Sequence, residues 1–198
     1  MNAGAQVETR LYDGTPVVVR PLFPPDRSAV AEAYRRLSPE SLYHRFWTHS
    51  GDVIGPSMLD RLLAHDPDNH AIWGLFDPAR PFPLVAGASW WRCAEEADAA
   101  EFAATVLDDD QGRGIGTLLL AVLWLSAMRA GLRSFVAYVL PENRAAVRWM
   151  RDAGGTAEWD GYKVICRWDL HDLERLPVSR TAADLATRLA EFSTALLD

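Results

Sequence analysis

The sequence is poor in cysteine and has no excess of positive charge. Its two cysteines, Cys93 and Cys166, lie far apart and match no metal-ligand spacing, so each is predicted to be a buried apolar thiol and no metal site is expected. The 20 Lys and Arg residues are outnumbered by 27 Asp and Glu residues, which gives a net charge of −7. This balance argues against a nucleic-acid partner, because phosphate backbones are bound by clustered positive charge.

The sequence also lacks long apolar runs and recognisable targeting signals. The residues after Met1 include neither the basic region nor the apolar region of a secretory signal peptide. The sequence has no stretch of about 18 apolar residues, the length that a membrane-spanning helix needs. We therefore expect no membrane partner and a cytoplasmic location. In contrast, 49% of the 198 residues are hydrophobic, which is enough for the core of one globular domain.

Apolar periodicity and turn residues predict a mixture of strands and helices. Alternating or short apolar runs between turn signals predict strands at 8–12, 17–20, 71–76, 84–91, 101–106, 134–140, 156–159 and 163–170. Capping residues, prolines and apolar residues at helical spacing predict helices that begin near Pro24, Pro39, Met58, Ile115, Asn143 and Thr181. Strands that are separated by a short turn are expected to pair as antiparallel hairpins.

Two of these helices carry side chains that the sequence can assign either to solvent or to a contact: polar residues in the helix near Pro39 and an apolar stripe in the C-terminal helix. The helix near Pro39 includes His44 and Arg45, which we interpret as a solvated polar face, because a histidine without a placed partner indicates little. The C-terminal helix has an apolar stripe formed by Leu185, Leu189, Phe192 and Leu196. This stripe is expected to dock either on the rest of the chain or on a second copy in a homodimer.

A glycine-rich segment joins strand 101–106 to the long helix that follows it. Its glycines let backbone N–H groups approach a ligand closely, and the helix adds the positive end of its dipole, so the junction predicts a phosphate site. A mononucleotide P-loop is excluded because no lysine precedes Thr117, and the dinucleotide pattern is weak because Thr117 replaces its last glycine. The pattern that fits is Gln/Arg-x-x-Gly-x-Gly/Ala, formed by Gln111, Gly114 and Gly116.

With this motif, the sequence resembles the GNAT superfamily of acyl-CoA-dependent N-acetyltransferases over residues 17–169. The resemblance implies an α+β fold, in which helices flank a mixed, mostly antiparallel sheet that is splayed between two central strands. The stretch 36–46 adds a weaker likeness to bacterial Pat-type protein lysine acetyltransferases. We therefore expect one acyl-CoA N-acetyltransferase domain at 1–177 and a docking C-terminal helix at 178–198.

The resemblance implies acetyl-CoA as the cosubstrate and assigns the residues that bind it. Backbone amides of the glycine loop would wrap the pyrophosphate, and Arg113 would add charge at the mouth of the site. Val106 would pair through its main chain with the pantetheine amides, and Asn143 would lie beside the cofactor, although it is also a plain helix cap. The loop residues in this assignment are Gln111, Gly112, Arg113, Gly114, Ile115, Gly116 and Thr117.

Acetyl transfer to an amine requires a base, because a free lysine has a pKa of about 10.4 and is mostly protonated at pH 7. A carboxylate on the strand before the cofactor loop can accept this proton directly or through a water molecule. Glu101 has this position and resembles the glutamate that Pat-type enzymes use as general base. The alternative carboxylates are Glu95, Glu96 and Asp98.

The acid that would protonate the leaving thiolate is missing from its usual place. Many GNAT members use a tyrosine seven positions after the asparagine, where this sequence has Met150. Tyr138 is a substitute by position, although core packing is its expected role. A thiol of pKa about 8.5 leaves tolerably as its anion, so the missing tyrosine does not exclude catalysis.

The amine acceptor stays open at the level of sequence. An acidic protein suits a cationic amine, either a protein lysine or a small molecule. Asp108, Asp109 and Asp110 border the proposed cleft; an acidic run in a loop is typically solvated, and attraction of a cationic acceptor is the alternative. Met150 also leaves open a non-catalytic acyl-CoA sensor, whereas a nucleotide-binding enzyme would be favoured only by tighter binding of ATP or NAD than of CoA.

Overall fold

The computed structural model describes residues 6–48, 54–64 and 66–197 of the chain. Within them, eight strands form one sheet in the order β1-β2-β3-β4-β5-β6-β8-β7. The strands are β1 (Val7–Arg10), β2 (Pro16–Pro21), β3 (His70–Phe76), β4 (Leu84–Arg92), β5 (Ala99–Val106), β6 (Ser134–Val139), β7 (Thr156–Trp159) and β8 (Val164–Asp169). All neighbours pair antiparallel except β5 and β6, which are parallel, so the predicted hairpins and the predicted mixed sheet are confirmed.

Helices cover both faces of this sheet. They are α1 (Arg27–Arg35), α2 (Pro39–Phe46), α3 (Pro56–Leu62), α4 (Ile115–Arg129), α5 (Arg144–Asp152) and α6 (Arg180–Leu197). Adjacent residues of a strand point to opposite faces. Accordingly, Ile72 packs in the smaller core under α1 and α3, while Trp73 packs in the larger core around α4. None of the helices in the described residues is long and apolar enough to cross a membrane.

Helix α4 lies at the centre of the larger core. All residues at 117–127 are buried, and the helix contacts β3, β4 and β5 on one side and α6 on the other. A helix that is apolar all round requires such a fully covered position. Because its first turn follows directly from the glycine loop, this packing also holds the loop in place.

Helix α6 docks on α4 within the same chain. Its apolar stripe is buried in the larger core, as one of the two expected arrangements requires; the stripe consists of Leu185, Leu189, Phe192 and Leu196. The helix begins at Arg180, one residue before the predicted start at Thr181. The hydroxyl of Ser179 accepts a hydrogen bond of 2.9 Å from the N–H of Ala182, so Ser179 is the capping residue instead.

Strands β5 and β6 separate after a short stretch of pairing. They are paired only where residues 99–101 lie beside residues 134–136, and the last pair is Glu101 with Val136. Beyond it, β5 stays paired with β4 as far as Val106, and β6 stays paired with β8 as far as Val139. The predicted splay between two central strands is therefore confirmed, and it opens the sheet at its middle.

Candidate functional site

The separation of β5 and β6 opens a cleft of about 1070 Å³. Its walls are the edge of β5, strand β6, the glycine loop, the first turn of α5 and helix α2. The predicted site residues that line this cleft are Glu101, Val106, Gln111, Gly112, Gly114, Ile115, Gly116, Thr117 and Asn143. The structure thus brings together the predicted positions from three separate segments of the chain, with Arg113 as the exception.

The edge of β5 that faces the cleft has no strand partner beyond Glu101 among the described residues, and the side chain of Gln111 donates a hydrogen bond of 3.3 Å to the carbonyl oxygen of Val106 on it. Between Phe102 and Val106, no strand of the described residues pairs with this edge. The N–H of Leu107 donates to the carbonyl oxygen of Val85 on β4, so by alternation the peptide groups of Val106 and Ala104 point toward the cleft. An extended ligand with amide groups therefore fits this edge as an added strand would.

The glycine loop depends on its glycines for both backbone and packing reasons. Gly112 and Gly114 have φ of 76° and 84°, in the left-handed region that residues with a side chain rarely adopt. A Cβ atom at Gly114 would lie 2.6 Å from the ring of Tyr12, and one at Gly116 would lie 3.2 Å from the ring of Trp149. The loop is therefore held in one conformation, with its backbone exposed to the cleft.

Arg113 is absent from the residues that line the cleft, and its predicted role at the mouth stays a prediction. Its guanidinium donates hydrogen bonds of 2.5 Å to Asp110, 2.8 Å to Asp13 and 2.8 Å to Thr15. Two carboxylates neutralise its charge, and these contacts tie the loop to the turn between β1 and β2. In this structure Arg113 therefore stabilises the loop through its own side-chain contacts.

The acidic run at 108–110 is solvated only in part. Asp108 and Asp109 are exposed, as expected, whereas Asp110 is fully buried between two arginines. Asp108 accepts hydrogen bonds from the N–H of Ser38 (2.9 Å) and the hydroxyl of Ser41 (2.7 Å). Burial raises the pKa of Asp108, but the hydrogen bonds outweigh it, so the net pKa is lowered. Asp108 thereby anchors the start of α2 beside the cleft.

Helix α5 contributes two residues to the phosphate end of the cleft. Asn143 is its N-cap, because the side-chain Oδ1 accepts a hydrogen bond of 3.1 Å from the N–H of Ala146. Asn143 lines the cleft as well, so both of its predicted roles are compatible with its position. Trp149, which the sequence did not single out, donates its indole N–H to the hydroxyl of Thr117 at 3.1 Å. This bond joins α5 to the first turn of α4.

Glu101 lies where β5 and β6 separate, exposed at the base of the cleft. Tyr138 follows Val136, the pairing partner of Glu101, by two residues, so both side chains are on the same face of the sheet. Burial raises the pKa of Tyr138, and negative charge on the neighbouring Cys93 and Glu101 raises it further. Tyr138 is 37% exposed and lines the cleft, so the expectation of core packing is wrong.

The two cysteines differ in their surroundings. Cys166 is buried, as predicted, but Cys93 is only half-buried and lies beside Glu101. Burial and the charge of Glu101 raise the pKa of the Cys93 thiol, which disfavours the thiolate. Met150, at the position where the resemblance would place a tyrosine, is buried at the wall of the cleft and has no proton to donate.

Helix α2 covers the other side of the cleft and brings residues that the sequence did not assign to it. His44 and Arg45, which were expected on a solvated polar face, are partly exposed and line the cleft. Trp47 ends the helix with φ of 58°, and its ring meets the edge of Tyr162 at a centroid distance of 6.1 Å. This contact joins α2 to the turn between β7 and β8, at the end of the cleft opposite the glycine loop.

The alternative carboxylates lie elsewhere. Glu95, Glu96 and Asp98 are in the turn between β4 and β5 and do not line the cleft, and Glu96 pairs with Arg167 at 3.3 Å. In the part of the chain that the structure describes, no group of three or more His, Cys, Asp or Glu side chains is arranged to hold a metal ion. Among the predicted carboxylates, Glu101 is thus the one at the base of the cleft.

Two curated proteins are similar in sequence. Acetyltransferase Pat of Mycolicibacterium smegmatis is 36% identical over 138 residues, which are 69% of this chain and 40% of that protein. Acetyltransferase PA5475 of Pseudomonas aeruginosa is 32% identical over 143 residues, which are 72% of this chain and 74% of that protein. The chain thus spans less than half of the Mycolicibacterium relative but most of the Pseudomonas relative. No protein-family model matches the chain.

Solved structures show the same fold. The GNAT domain of S. lividans PAT superposes with a TM-score of 0.77 at 27% identity, covering 85% of this chain and 99% of that chain. The protein yncA of Salmonella typhimurium, solved with its cofactor acetyl-CoA, superposes with a TM-score of 0.63, covering 79% of this chain and 95% of that chain. At 19% identity, the second likeness concerns the fold alone.

Proposed function

The chain belongs to the GNAT superfamily of acetyltransferases, and on this basis we propose that it transfers an acetyl group from acetyl-CoA to a primary amine, with Glu101 as general base. The observation that carries the proposal is one shared cleft. The free edge of β5, the glycine loop and Glu101 all line it, in the order that a long thioester ligand with an anionic end requires. A protein lysine is the first candidate acceptor.

The donor is assigned to the cleft by its chemistry. The backbone amides at 111–117 and the N-terminus of α4 suit the pyrophosphate of acetyl-CoA. The peptide groups of Ala104 and Val106 suit the amides of pantetheine, which leads the thioester toward Glu101. Because the charge of Arg113 is neutralised, we assign the positive charge at this end to Arg144, which lines the cleft. The acetyl-CoA bound to the Salmonella neighbour of the same fold supports this donor.

The reaction begins with removal of a proton from the amine. Glu101 accepts this proton directly or through a water molecule, which leaves the nitrogen lone pair available for attack on the thioester carbonyl. The cleft holds the two reactants close together, so positioning supplies much of the rate. Peptide N–H groups of β5 that point into the cleft are the donors for the developing oxyanion.

Tyr138 is the proposed donor of a proton to the departing thiolate. It lies on the same face as Glu101, and its raised pKa keeps the phenol protonated near neutral pH. Met150 has no such proton, although it occupies the position at which other family members carry a tyrosine. The chain would therefore supply the acid from β6 instead of α5.

The carboxylates of the cleft suit a cationic acceptor. Glu40, Glu101, Asp108 and Glu142 line the cleft, together with the cations Arg45, Arg144 and Lys163. A protonated amine would be attracted where the carboxylates lie, and the anionic end of the donor where Arg144 lies. The charge of the cleft lining does not distinguish a protein lysine from a small amine, so the acceptor has to be identified by assay.

We propose residues 1–177 as a single N-acetyltransferase domain and 178–198 as a helix that docks on it. The burial of the apolar stripe of α6 inside the chain removes the argument that pointed to a homodimer. The match covers 40% of the Mycolicibacterium relative, and the proposal for this chain makes no use of the remainder of that protein.

The proposal is tested by binding and turnover in parallel. Acetyl-CoA is titrated by calorimetry, and transfer to lysine peptides and small amines is followed by release of the CoA thiol. We expect Glu101→Gln to bind acetyl-CoA as the wild type does but to react about 10²–10⁴-fold more slowly. Asp109→Asn, at an exposed carboxylate outside the cleft, is the matched control and should keep wild-type rates.

Two results would change the conclusion. Absence of acetyl-CoA binding by the wild type would contradict the proposed function altogether. Tight acetyl-CoA binding with no turnover on any amine or peptide would favour a non-catalytic acyl-CoA sensor. Met150, which replaces the tyrosine that donates a proton in other family members, is compatible with that alternative.

A further inference from the structure

Lys163 is the single lysine of the sequence, and it lines the cleft. The remaining Lys and Arg residues of the chain are arginines, whose guanidinium stays protonated at neutral pH and offers no amine nucleophile. Lysine thus occurs at one position, in the turn between β7 and β8. That position is part of the site where lysine chemistry is proposed to occur.

The contacts of Lys163 place its amine beside the proposed acid. Its Nζ lies 4.3 Å from the centre of the ring of Tyr138. Tyr138 in turn shares a sheet face and electrostatic interaction with Glu101. The amine of Lys163 therefore lies on the side of the cleft that holds both groups assigned to proton transfer.

The contacts recorded for the amine are weak. Its ion pair with Asp160 is long, at 3.8 Å, and such surface pairs contribute little to stability. The side chain is 29% exposed, and a four-carbon stem gives lysine a wide range of positions. Movement from the ring of Tyr138 toward the thioester breaks no strong contact that the structure records for this side chain.

We propose that Lys163 is acetylated by the protein's own active site, an inference that rests on the proposed function. Glu101 accepts a proton from the ammonium of Lys163, and the freed nitrogen forms a bond to the thioester carbonyl carbon. The carbon–sulfur bond breaks, the CoA thiolate takes the phenolic proton of Tyr138, and the nitrogen gives its second proton to the resulting phenolate, which leaves a neutral amide. The product amide has lost the positive charge that lay over the ring of Tyr138, and its acetyl group occupies space that an external acceptor needs.

The test uses the full chain with acetyl-CoA and measures its intact mass. We expect the mass of one acetyl group to be added, and peptide mapping to locate it at Lys163. Lys163→Arg should abolish this addition. A second lysine, introduced by Arg175→Lys in the Lys163→Arg background, lies exposed and outside the cleft, and it should stay unmodified over the same time. The urea-unfolded chain is a further control and should also stay unmodified.

Each other outcome contradicts the inference in a recognisable way. If an external amine is acetylated while Lys163 is not, the inference fails and the proposed function stands. If the lysine at position 175 is labelled as fast as Lys163, the labelling is simple chemical acetylation. If the rate per molecule rises with protein concentration, the acetyl group comes from another copy. If the wild type binds no acetyl-CoA, the inference and the proposed function fail together.

Discussion

The guanidinium of Arg80 donates two hydrogen bonds, of 2.7 and 2.6 Å, to the carboxylate of Asp110. Arg80 lies in the turn between β3 and β4, and Asp110 immediately precedes the glycine loop. Arg113 binds the same carboxylate and also Asp13, so this ionic network links the loop to the turn between β3 and β4 and to the turn between β1 and β2. The loop that faces the cleft is thus held from behind by an ionic network.

Replacement of Asp110 by alanine should lower the free energy of unfolding by about 3 kcal/mol, because two arginines lose a shared buried partner. Both guanidinium groups are partly exposed, and each keeps a second carboxylate, Asp77 for Arg80 and Asp13 for Arg113. The loss should therefore lie at the low end of the roughly 3–5 kcal/mol that removal of one partner of a buried ion pair costs. Urea unfolding measures this change. Asp109→Ala is the control, and an equal loss in both variants would contradict the role of the network.

Replacement of Tyr138 by phenylalanine should lower kcat about 10-fold and leave the KM for acetyl-CoA unchanged. This rate loss is smaller than the roughly 10²–10⁴-fold that general acid catalysis typically contributes, because a thiolate is a good leaving group even without a proton donor. Steady-state kinetics with thiol detection measure both parameters. Met150→Leu should keep the wild-type kcat, since Met150 donates no proton, and an unchanged kcat in Tyr138→Phe would remove Tyr138 from the mechanism.

The buried His70 should make the protein less stable as the pH falls below 6.5. Burial lowers its pKa to about 4, and its ring stacks on Trp91 at a centroid distance of 3.7 Å. In the unfolded chain the histidine has its ordinary pKa of 6.5. Between pH 6.5 and about 4 the unfolded chain therefore binds a proton that the folded chain does not, so protonation favours unfolding. The slope from this group should approach 1.4 kcal/mol per pH unit.

Urea unfolding at a series of pH values measures this slope, and the variant His70→Phe is the comparison. The phenylalanine keeps an aromatic ring against Trp91 and cannot titrate, so its stability should fall less between pH 6.5 and 4. Parallel pH profiles for the two proteins would show that His70 is not the group responsible.

Replacement of Phe192 by alanine should cost about 3–5 kcal/mol of unfolding free energy. The side chain is 1% exposed and lies in the larger core, where α6 packs on α4. Phe82→Ala removes the same ring from a site that is 56% exposed and should change stability little. A small loss in Phe192→Ala would indicate that α6 is not docked on the chain in solution.

The sequence alone determined where the strands and helices lie and that the loop between β5 and α4 is rich in glycine. Helical and strand periods are local, so β1 through β8 and the helix starts could be predicted within a few residues. The need for glycine at positions 112 and 114 is also local, since it follows from backbone angles that a side chain would strain. The fold followed from these patterns together with the resemblance that the loop supported.

The tertiary structure decided which side chains face the cleft. Arg113 turns to Asp13, about a hundred residues away in sequence, and no local pattern indicates that partner. Glu101, Tyr138 and Lys163 come from three elements and meet only because β6 lies between β5 and β8 in the sheet. The order of strands is fixed by long-range packing around α4, so a period of two or 3.6 residues cannot reveal it. The sequence therefore determined the glycine loop, and the order of strands in the sheet decided which side chains lie around it.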